Sequence, residues 1–469
     1  MTKIFKTSEA AELCGGKLLG PDIEICRSWR SDSRDVAPGD AFVAINGAKT
    51  DGHLFITQAI ERGAKLLFVE VDKIEPLGLD SPEYAGVTIV AVPDTLKGLA
   101  RIATSYFKTV APQLIGITGS VGKTTTRELI VSALKKKYKV HSAIRSFNTI
   151  IGCSLTILAM PADTEMLVLE FGTNHFGEIA EMTSLFSPDA AMITEVAPAH
   201  LEGFGSISGV LKAKLEICGQ NGLEVLVYNA DNIMLRDALI GEKRNIRLIG
   251  VGYCNEADLK ICGADISLDD NGAKISAEYM FDGKKYNEEA SLFGRQHAYN
   301  IGFALAIAKY FKVSDEDIKT AFEELKPING RGVCKKLYNG AWVIDEAYNA
   351  NPSSMRAAIE NVVSVANSGN RRKIAVLGGM RELGEDTSYW HKEMLLLTRN
   401  FDKVLLFGEE WLAEKTELTE NTFLYASFET LAEAVLNLDS SNSIMLIKGS
   451  NSYGLKKLVA LLTEGTDVR

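Results

Sequence analysis

A short apolar run, Leu114-Ile115-Gly116-Ile117, passes directly into Thr118-Gly119-Ser120-Val121-Gly122-Lys123-Thr124-Thr125-Thr126, and helical spacing begins near Thr124. A buried strand joined to a helix by a glycine-rich turn points several backbone N–H groups and a helix N-terminus at one place, which makes an anion site. Lys123 then reaches the β- and γ-phosphates of a nucleotide, and the Thr124 hydroxyl helps hold Mg²⁺. The strict phosphate-loop pattern has glycine five residues before Gly122, and here that residue is Ile117, so the loop is a variant. A glycine-rich strand-to-helix turn without a ligand is the plain alternative. Because strand, Gly-Lys-Thr and helix coincide, ATP or GTP binding is the expectation.

The surrounding pattern is α/β. Met166-Leu167-Val168-Leu169-Glu170 and Ala191-Met192-Ile193-Thr194 read as strands alternating with helical segments. A second set follows: Trp342 to Asp345, Lys373 to Leu377, Lys403 to Phe407 and Ser443 to Ile447, with a helix predicted over Ser353 to Val365. Short apolar strands alternating with helices build parallel, doubly wound sheets. From Gly263 to Leu292 the runs alternate around Asp269-Asp270-Asn271-Gly272 and Asp282-Gly283, which predicts an antiparallel insertion with hairpin turns. Seams lie at Lys108 to Gln113 and at Lys326-Pro327-Ile328-Asn329-Gly330-Arg331-Gly332. A length of 469 residues suits about three domains.

Composition removes several function classes. Hydrophobic residues at 46% and charged residues at 24% exclude a disordered or fibrous chain. No apolar run approaches the roughly 18 residues of a membrane span, and the start of the chain lacks the apolar core of a signal peptide, so a cytoplasmic protein is expected. A net charge of −10 argues against nonspecific nucleic-acid binding. The seven cysteines, Cys14, Cys26, Cys153, Cys218, Cys254, Cys262 and Cys334, never form Cys-x-x-Cys, so reduced thiols are expected rather than a zinc site or a disulfide framework.

Downstream of the loop, Glu170 ends a strand at the edge where the loop sits, and a carboxylate there could hold Mg²⁺. It reads equally well as a solvated strand-end carboxylate. His200, in Ala199-His200-Leu201-Glu202, is more simply structural, and Lys212 and Lys214 are more simply a solvated helix face.

Taken in order, the motifs resemble the Mur ligase family. The resemblance is carried by Thr118 to Thr125, Phe147-Asn148…Gly152, Glu170…Asn174-His-Phe-Gly-Glu178, Ala199 to Glu202 and Ala213 to Ile217. It continues through Gly294-Arg-Gln-His297…Asn300, Gly330-Arg331 and Asp345-Glu-Ala-Tyr-Asn-Ala-Asn-Pro352. Asp32-Ser33-Arg34, Pro38-Gly-Asp40 and Asp51-Gly-His53 resemble the family's uridine-nucleotide domain, so the resemblance spans essentially the whole chain. Tyr348 to Pro352, Met380-Arg-Glu-Leu-Gly384 and Lys448-Gly-Ser450 are most similar to the members that add D-alanyl-D-alanine to UDP-MurNAc-tripeptide. Several positions depart from the family pattern: Val121 replaces a polar residue, only Phe147, Asn148, Ile151 and Gly152 of residues 145–152 fit the usual Gly-Asn-Phe-Asn-Asn-Glu-Ile-Gly, Glu195 stands for Asn, and Asn451 stands for Arg.

The resemblance implies three α/β domains: a small UDP-MurNAc-peptide-binding domain over 1–110, a central P-loop, parallel-sheet ATP-binding domain over 111–328 that carries the antiparallel insertion, and a Rossmann-like ligase domain over 329–469. It implies ATP-dependent ligation through an acyl phosphate, in the cytoplasmic stage of peptidoglycan synthesis, by a monomer whose partners are those two small molecules. Lys123, Glu170, His200 and Lys214 would be catalytic. Thr124, Glu170, His200 and a carbamylated Lys214 would hold Mg²⁺. Gly119, Ser120, Gly122, Lys123, Thr124, Thr125, His297, Asn300, Arg331, Asp345, Tyr348 and Asn349 would bind ATP, and Ser33, Arg34, Asn46 and Asn148 the other substrate. A diamino-acid-adding or folylpolyglutamate-type ligase is the nearest alternative, although the chain lacks Asp-Asn-Pro-Arg and carries the uridine-type domain. A P-loop switch ATPase is the alternative from another class, and would hydrolyse nucleotide without an amine acceptor.

Overall fold

A computed structural model of the chain describes residues 6–24, 28–47, 50–84, 86–143, 147–241, 245–270 and 272–464. The first five residues, Cys26, Arg145, Ser146 and the Asn271 of the predicted hairpin turn lie outside them. Three sheets of five, nine and six strands follow one another along the chain. In the first, Trp29–Arg30, Ala41–Val43, Leu66–Glu70 and Thr88–Val92 run parallel, and Lys17–Leu19 pairs antiparallel at the edge.

The middle sheet places Gln113–Thr118 between Met166–Glu170 and Ala190–Ile193. All five residues of Met166–Glu170 and of Val225–Asn229 are buried, as expected for parallel strands covered by helices on both faces. Such continuous apolar runs make strands of this kind readable without alternation. In the third sheet, Ser443–Lys448 lies between Trp342–Glu346 and Arg372–Gly378 although it is last in sequence, so the strand order reverses there. Open α/β sheets bind ligands beyond the carboxyl ends of the strands at such reversals.

The expected antiparallel segment forms and is continuous with the parallel sheet: Leu259–Asp269 pairs in parallel with Arg247–Gly252 through Val251↔Leu259 and Gly252↔Lys260. Gly272–Phe281 and Lys284–Ala290 then extend the same sheet antiparallel. It therefore begins four residues before Gly263, where the parallel and antiparallel parts share one strand. The Asp282-Gly283 turn forms as predicted, with both residues at positive φ (48° and 74°), the geometry of a two-residue hairpin. Among the described residues, no helix is long and apolar enough to cross a membrane.

This edge holds an unusual carboxyl. On Lys284–Ala290 the inward positions are Tyr286, Glu288 and Ala290, and Glu288 Oε2 is buried without a hydrogen-bond partner. Burial pushes its pKa from 4.5 up to about 7; Lys319 opposes the shift, while Asp315 and Glu323 add to it. Below pH 4.5 the folded and unfolded chains both carry the proton. As pH rises towards 7 the unfolded chain ionises first, so stability falls through that window and stays lower above it. E288Q is therefore expected to raise unfolding free energy by about 3 kcal/mol at pH 8 and to leave it unchanged near pH 4.5. Urea unfolding at the two pH values checks this; an equal effect at both would refute the ionisation argument.

Candidate active site

The phosphate loop leaves Gln113–Thr118, an interior strand of the nine-stranded sheet, and its backbone can be made only with glycine at two positions. Gly119 has φ 145° and Gly122 φ 85°. A Cβ at 119 would collide with Thr194 Oγ1, and one at 122 would come within 2.8 Å of Asn300 Oδ1. The loop is pinned to the neighbouring strand end. Ser120 N–H donates to the Glu195 carbonyl at 2.9 Å, Ser120 Oγ donates to the Ala197 carbonyl at 2.9 Å, and Thr194 Oγ1 donates to the Val121 carbonyl at 2.6 Å. The helix Lys123–Lys135 starts at the lysine itself, so the ammonium and the helix N-terminus serve the same point.

Glu170 is 1% exposed. Its Oε2 accepts from Thr124 Oγ1 at 3.2 Å, and its Oε1 lies 3.0 Å from Arg127 Nη1 without forming a hydrogen bond. Sequence reasoning missed Arg127, although a second cation one turn after Lys123 on the same helix was the available signal. The half-buried Lys123 donates to the Gly119 carbonyl. Loss of hydration holds its pKa below the usual lysine range; the Glu170 charge opposes this and Arg331 adds to it.

Lys214, on the helix Ile207–Leu215, is 2% exposed. Among the described residues nothing is bonded to its Nζ. Burial, reinforced by Lys123, drives its pKa far down against the pull of Glu178 and Glu216. The solvated helix face that charge alone suggested is therefore overturned for Lys214, which is buried and lines a cavity.

A cavity of about 500 Å³ is lined by Ser120, Gly122, Lys123, Thr124, Thr125, Asn148, Glu170, His200, Lys214, His297 and Asn300 from the central part of the chain. Arg331, Tyr348 and Asn349 close it from the third sheet. The Arg331 guanidinium sits 4.0 Å from the centre of the Tyr348 ring, a favourable cation–π contact. His297 opens the helix His297–Tyr310, where burial lowers its pKa to about 4 and Arg331 adds to the shift, so its imidazole is neutral. Asn300 is fully engaged: its Nδ2 donates to His297 Nδ1 at 2.9 Å and its Oδ1 accepts from Thr126 Oγ1 at 3.2 Å. These two side chains thus tie the phosphate-loop helix to its neighbour as well as facing the cavity.

Five expected site residues do not line this cavity: Gly119, Asp345, Ser33, Arg34 and Asn46. Gly119 shapes the loop from behind. Asp345 accepts from the N–H groups of Gly330 and Ala347, both at 3.0 Å, and so fixes the turn that presents Arg331. Ser33 Oγ donates to Gln58 Oε1 at 2.6 Å, and Arg34 makes a forked pair with Asp32. Asn46 bridges to Asp51. All three belong to the first sheet's loops.

Three more residues escaped sequence reasoning. Glu195 accepts from Asn229 Nδ2 at 2.7 Å and from Asn232. Lys448 is 2% exposed and donates to Glu346 Oε2 at 3.2 Å and to the Asn349 carbonyl at 3.0 Å, which props the Asn349 turn. Glu382 forms an ion pair with His200 Nδ1, and its carbonyl accepts from Leu201 N–H at 3.0 Å. Lys448 and Glu382 lie in strings already recognised, but contacts between chain segments so far apart in sequence leave no local trace.

The Mur ligase middle domain matches residues 117–308, the Mur ligase glutamate ligase domain residues 330–451, and the Mur ligase family catalytic domain residues 29–107. The chain is 32% identical over 466 residues to the UDP-N-acetylmuramoyl-tripeptide–D-alanyl-D-alanine ligase of Bacillus subtilis (strain 168), with 97% of each chain covered. It is 29% identical over 463 residues to the Escherichia coli (strain K12) protein of the same name, covering 97% of this chain and 98% of the other. A crystal structure of MurF from Acinetobacter baumannii superposes with a TM-score of 0.83 at 24% identity over 99% of each chain. The MurF ligase of Thermotoga maritima in complex with ADP superposes with a TM-score of 0.78 at 26% identity, over 93% of this chain and 97% of that one.

Proposed function

The chain belongs to the Mur ligase family, and from that premise we propose that it joins D-alanyl-D-alanine to the terminal carboxylate of UDP-MurNAc-tripeptide at the expense of ATP. The observation that carries this reading is the cavity in which the phosphate loop, Glu170 and Lys214 face Arg331 and Tyr348 of the third sheet. The three sheets support a division into 1–110 for the uridine-nucleotide substrate, 111–328 for ATP and 329–469 for the acceptor side. We read the enzyme as a monomer acting in the cytoplasmic stage of peptidoglycan synthesis.

A carboxylate is a poor acyl donor because its leaving group would be oxide. In the proposed sequence the tripeptide carboxylate oxygen attacks the γ-phosphorus, the bond to the β–γ bridging oxygen breaks, and ADP leaves. The dipeptide amine then attacks the acyl carbon, the C–O bond to phosphate breaks, and the nitrogen loses a proton. The loop N–H groups and Lys123 hold the transferring phosphoryl group, and Arg331 meets it from the opposite wall, so catalysis is mainly positioning and charge neutralisation. Closure of the third sheet's loops over the cavity excludes water that would hydrolyse the acyl phosphate.

The residues present fit a hard divalent cation. Glu170 offers a buried oxygen with no hydrogen bond, beside the Thr124 hydroxyl. His200, and Lys214 once carbamylated, would serve a second ion. Mg²⁺ bound there would shield the charge of the phosphates.

Phosphate release from ATP and Mg²⁺, measured with and without each substrate, tests the proposal. Release is expected only with both, giving a product heavier by D-alanyl-D-alanine less one water. Release indifferent to both would sink it.

A further inference from the structure

Beyond the nucleotide cavity, three loops leave adjacent parallel strands of the third sheet: 378–384 after Arg372–Gly378, 408–411 after Lys403–Phe407, and 449–454 after Ser443–Lys448. They are bonded into one edge. Gly379 N–H donates to the Phe407 carbonyl at 2.9 Å, Ser450 N–H to the Gly379 carbonyl at 3.1 Å, and Arg381 N–H to Ser450 Oγ at 3.1 Å. Glycine at 408 lets Tyr453 and Glu410 lie against the strand ends, since a Cβ there would come within 2.7 Å of the Tyr453 hydroxyl.

On this floor stands Arg381. Its guanidinium is 4.9 Å from the Tyr453 ring centre, with Nη2 3.2 Å from the Tyr453 hydroxyl and Nε 3.4 Å from Glu410 Oε1. Tyr453 in turn donates to Glu410. The planar head is therefore held in place while its side chain stays 47% exposed. A guanidinium has five N–H donors, and these two contacts use two. Glu409, 3.8 Å away and 77% exposed, is beyond hydrogen-bond reach.

Among the described residues the other cations at this edge are engaged: Lys448 is buried on Glu346 and Asn349, and Lys456 donates to Asn451 Oδ1 at 3.1 Å. Position 451, between Ser450 and Tyr453, is a neutral asparagine. The residue after Arg381 is Glu382, whose carboxylate meets His200 on the wall of the nucleotide cavity. A dipeptide spans about 7 Å from amine to carboxylate. One anchored by its acid at Arg381 is thus placed to turn its amine towards that wall.

We propose that Arg381 binds the free carboxylate of the dipeptide acceptor and sets the enzyme's preference for an acceptor ending in an acid. The inference rests on the ligase reading above. A pre-oriented fork facing a carboxylate gives two parallel charge-assisted hydrogen bonds; an acceptor ending in an amide loses one of them and meets a donor with another.

The test compares D-alanyl-D-alanine with D-alanyl-D-alaninamide in the wild-type enzyme and in R381Q. The wild type is expected to favour the acid by about 30- to 100-fold in kcat/KM. R381Q should erase that preference through the KM for the dipeptide, with the KM for ATP unchanged. A preference that survives in R381Q, or equal losses for acid and amide, would overturn the inference while leaving the ligase reading intact. A wild-type enzyme that ligates neither acceptor would remove both.

Discussion

Lys123→Ala is expected to lower the rate of ADP formation about 10³-fold, with no loss of thermal stability. The size follows from what the loop leaves to this side chain. Backbone N–H groups at a helix N-terminus supply partial charges, and they remain in the variant. Lys123 supplies the one full charge at the helix start, inside a partly dehydrated loop where each charge counts for more than in water. Its pKa is depressed chiefly by loss of hydration, with Arg331 adding to the shift, so removing the ammonium relieves that cost in the protein alone. Lys123→Arg should not rescue the rate. The guanidinium is longer and planar, and the Gly119 carbonyl that now receives the ammonium lies too close for it. Single-turnover ADP formation and a thermal melt on each variant check the pair. A rate within tenfold of wild type in Lys123→Ala would remove the lysine from the chemistry.

Comparison of particular residues shows why some of the site was readable and some was not. The phosphate loop was legible because its chemistry is local. Strand, glycines, lysine and threonine occupy consecutive positions, and each is demanded by backbone conformation or ligand contact. The parallel strands were legible for the same kind of reason, since burial on both faces writes a continuous apolar run such as Met166 to Leu169. The antiparallel edge was half legible: its turns carry Asp-Gly signatures, but the parallel pairing of Val251 with Leu259 that joins it to the sheet is a choice of register, and no local residue encodes it. Asp345, expected at the nucleotide, accepts from the Gly330 and Ala347 N–H groups and does not line the cavity, because sequence order records proximity without direction. Glu382 and Arg127 were assigned no role since their partners, His200 and Glu170, are met only through tertiary packing.

Lys214→Met is expected to cost about 10³-fold in kcat and to raise the melting temperature by about 2–4 °C. Both effects come from the same burial. An ammonium at this position is dehydrated, has no bonded partner among the described residues and is repelled by Lys123, all of which favours the neutral amine. A neutral lysine amine reacts with CO₂: the N–C bond forms, one proton is lost, and a carbamate replaces what would have been a cation. The new anion attracts Lys123 instead of repelling it and adds a hard oxygen donor to the wall that holds Glu170 and Thr124. Methionine matches the apolar stem and removes the amine, so it keeps the packing, escapes the cost of burial and cannot form the carbamate. Wild-type activity should therefore fall when buffer is stripped of CO₂ and recover with added bicarbonate, while the residual activity of Lys214→Met should respond to neither. A wild-type rate indifferent to bicarbonate, with Lys214→Met still crippled, would leave Lys214 as a neutral amine facing the substrate and exclude its conversion to a metal-binding anion.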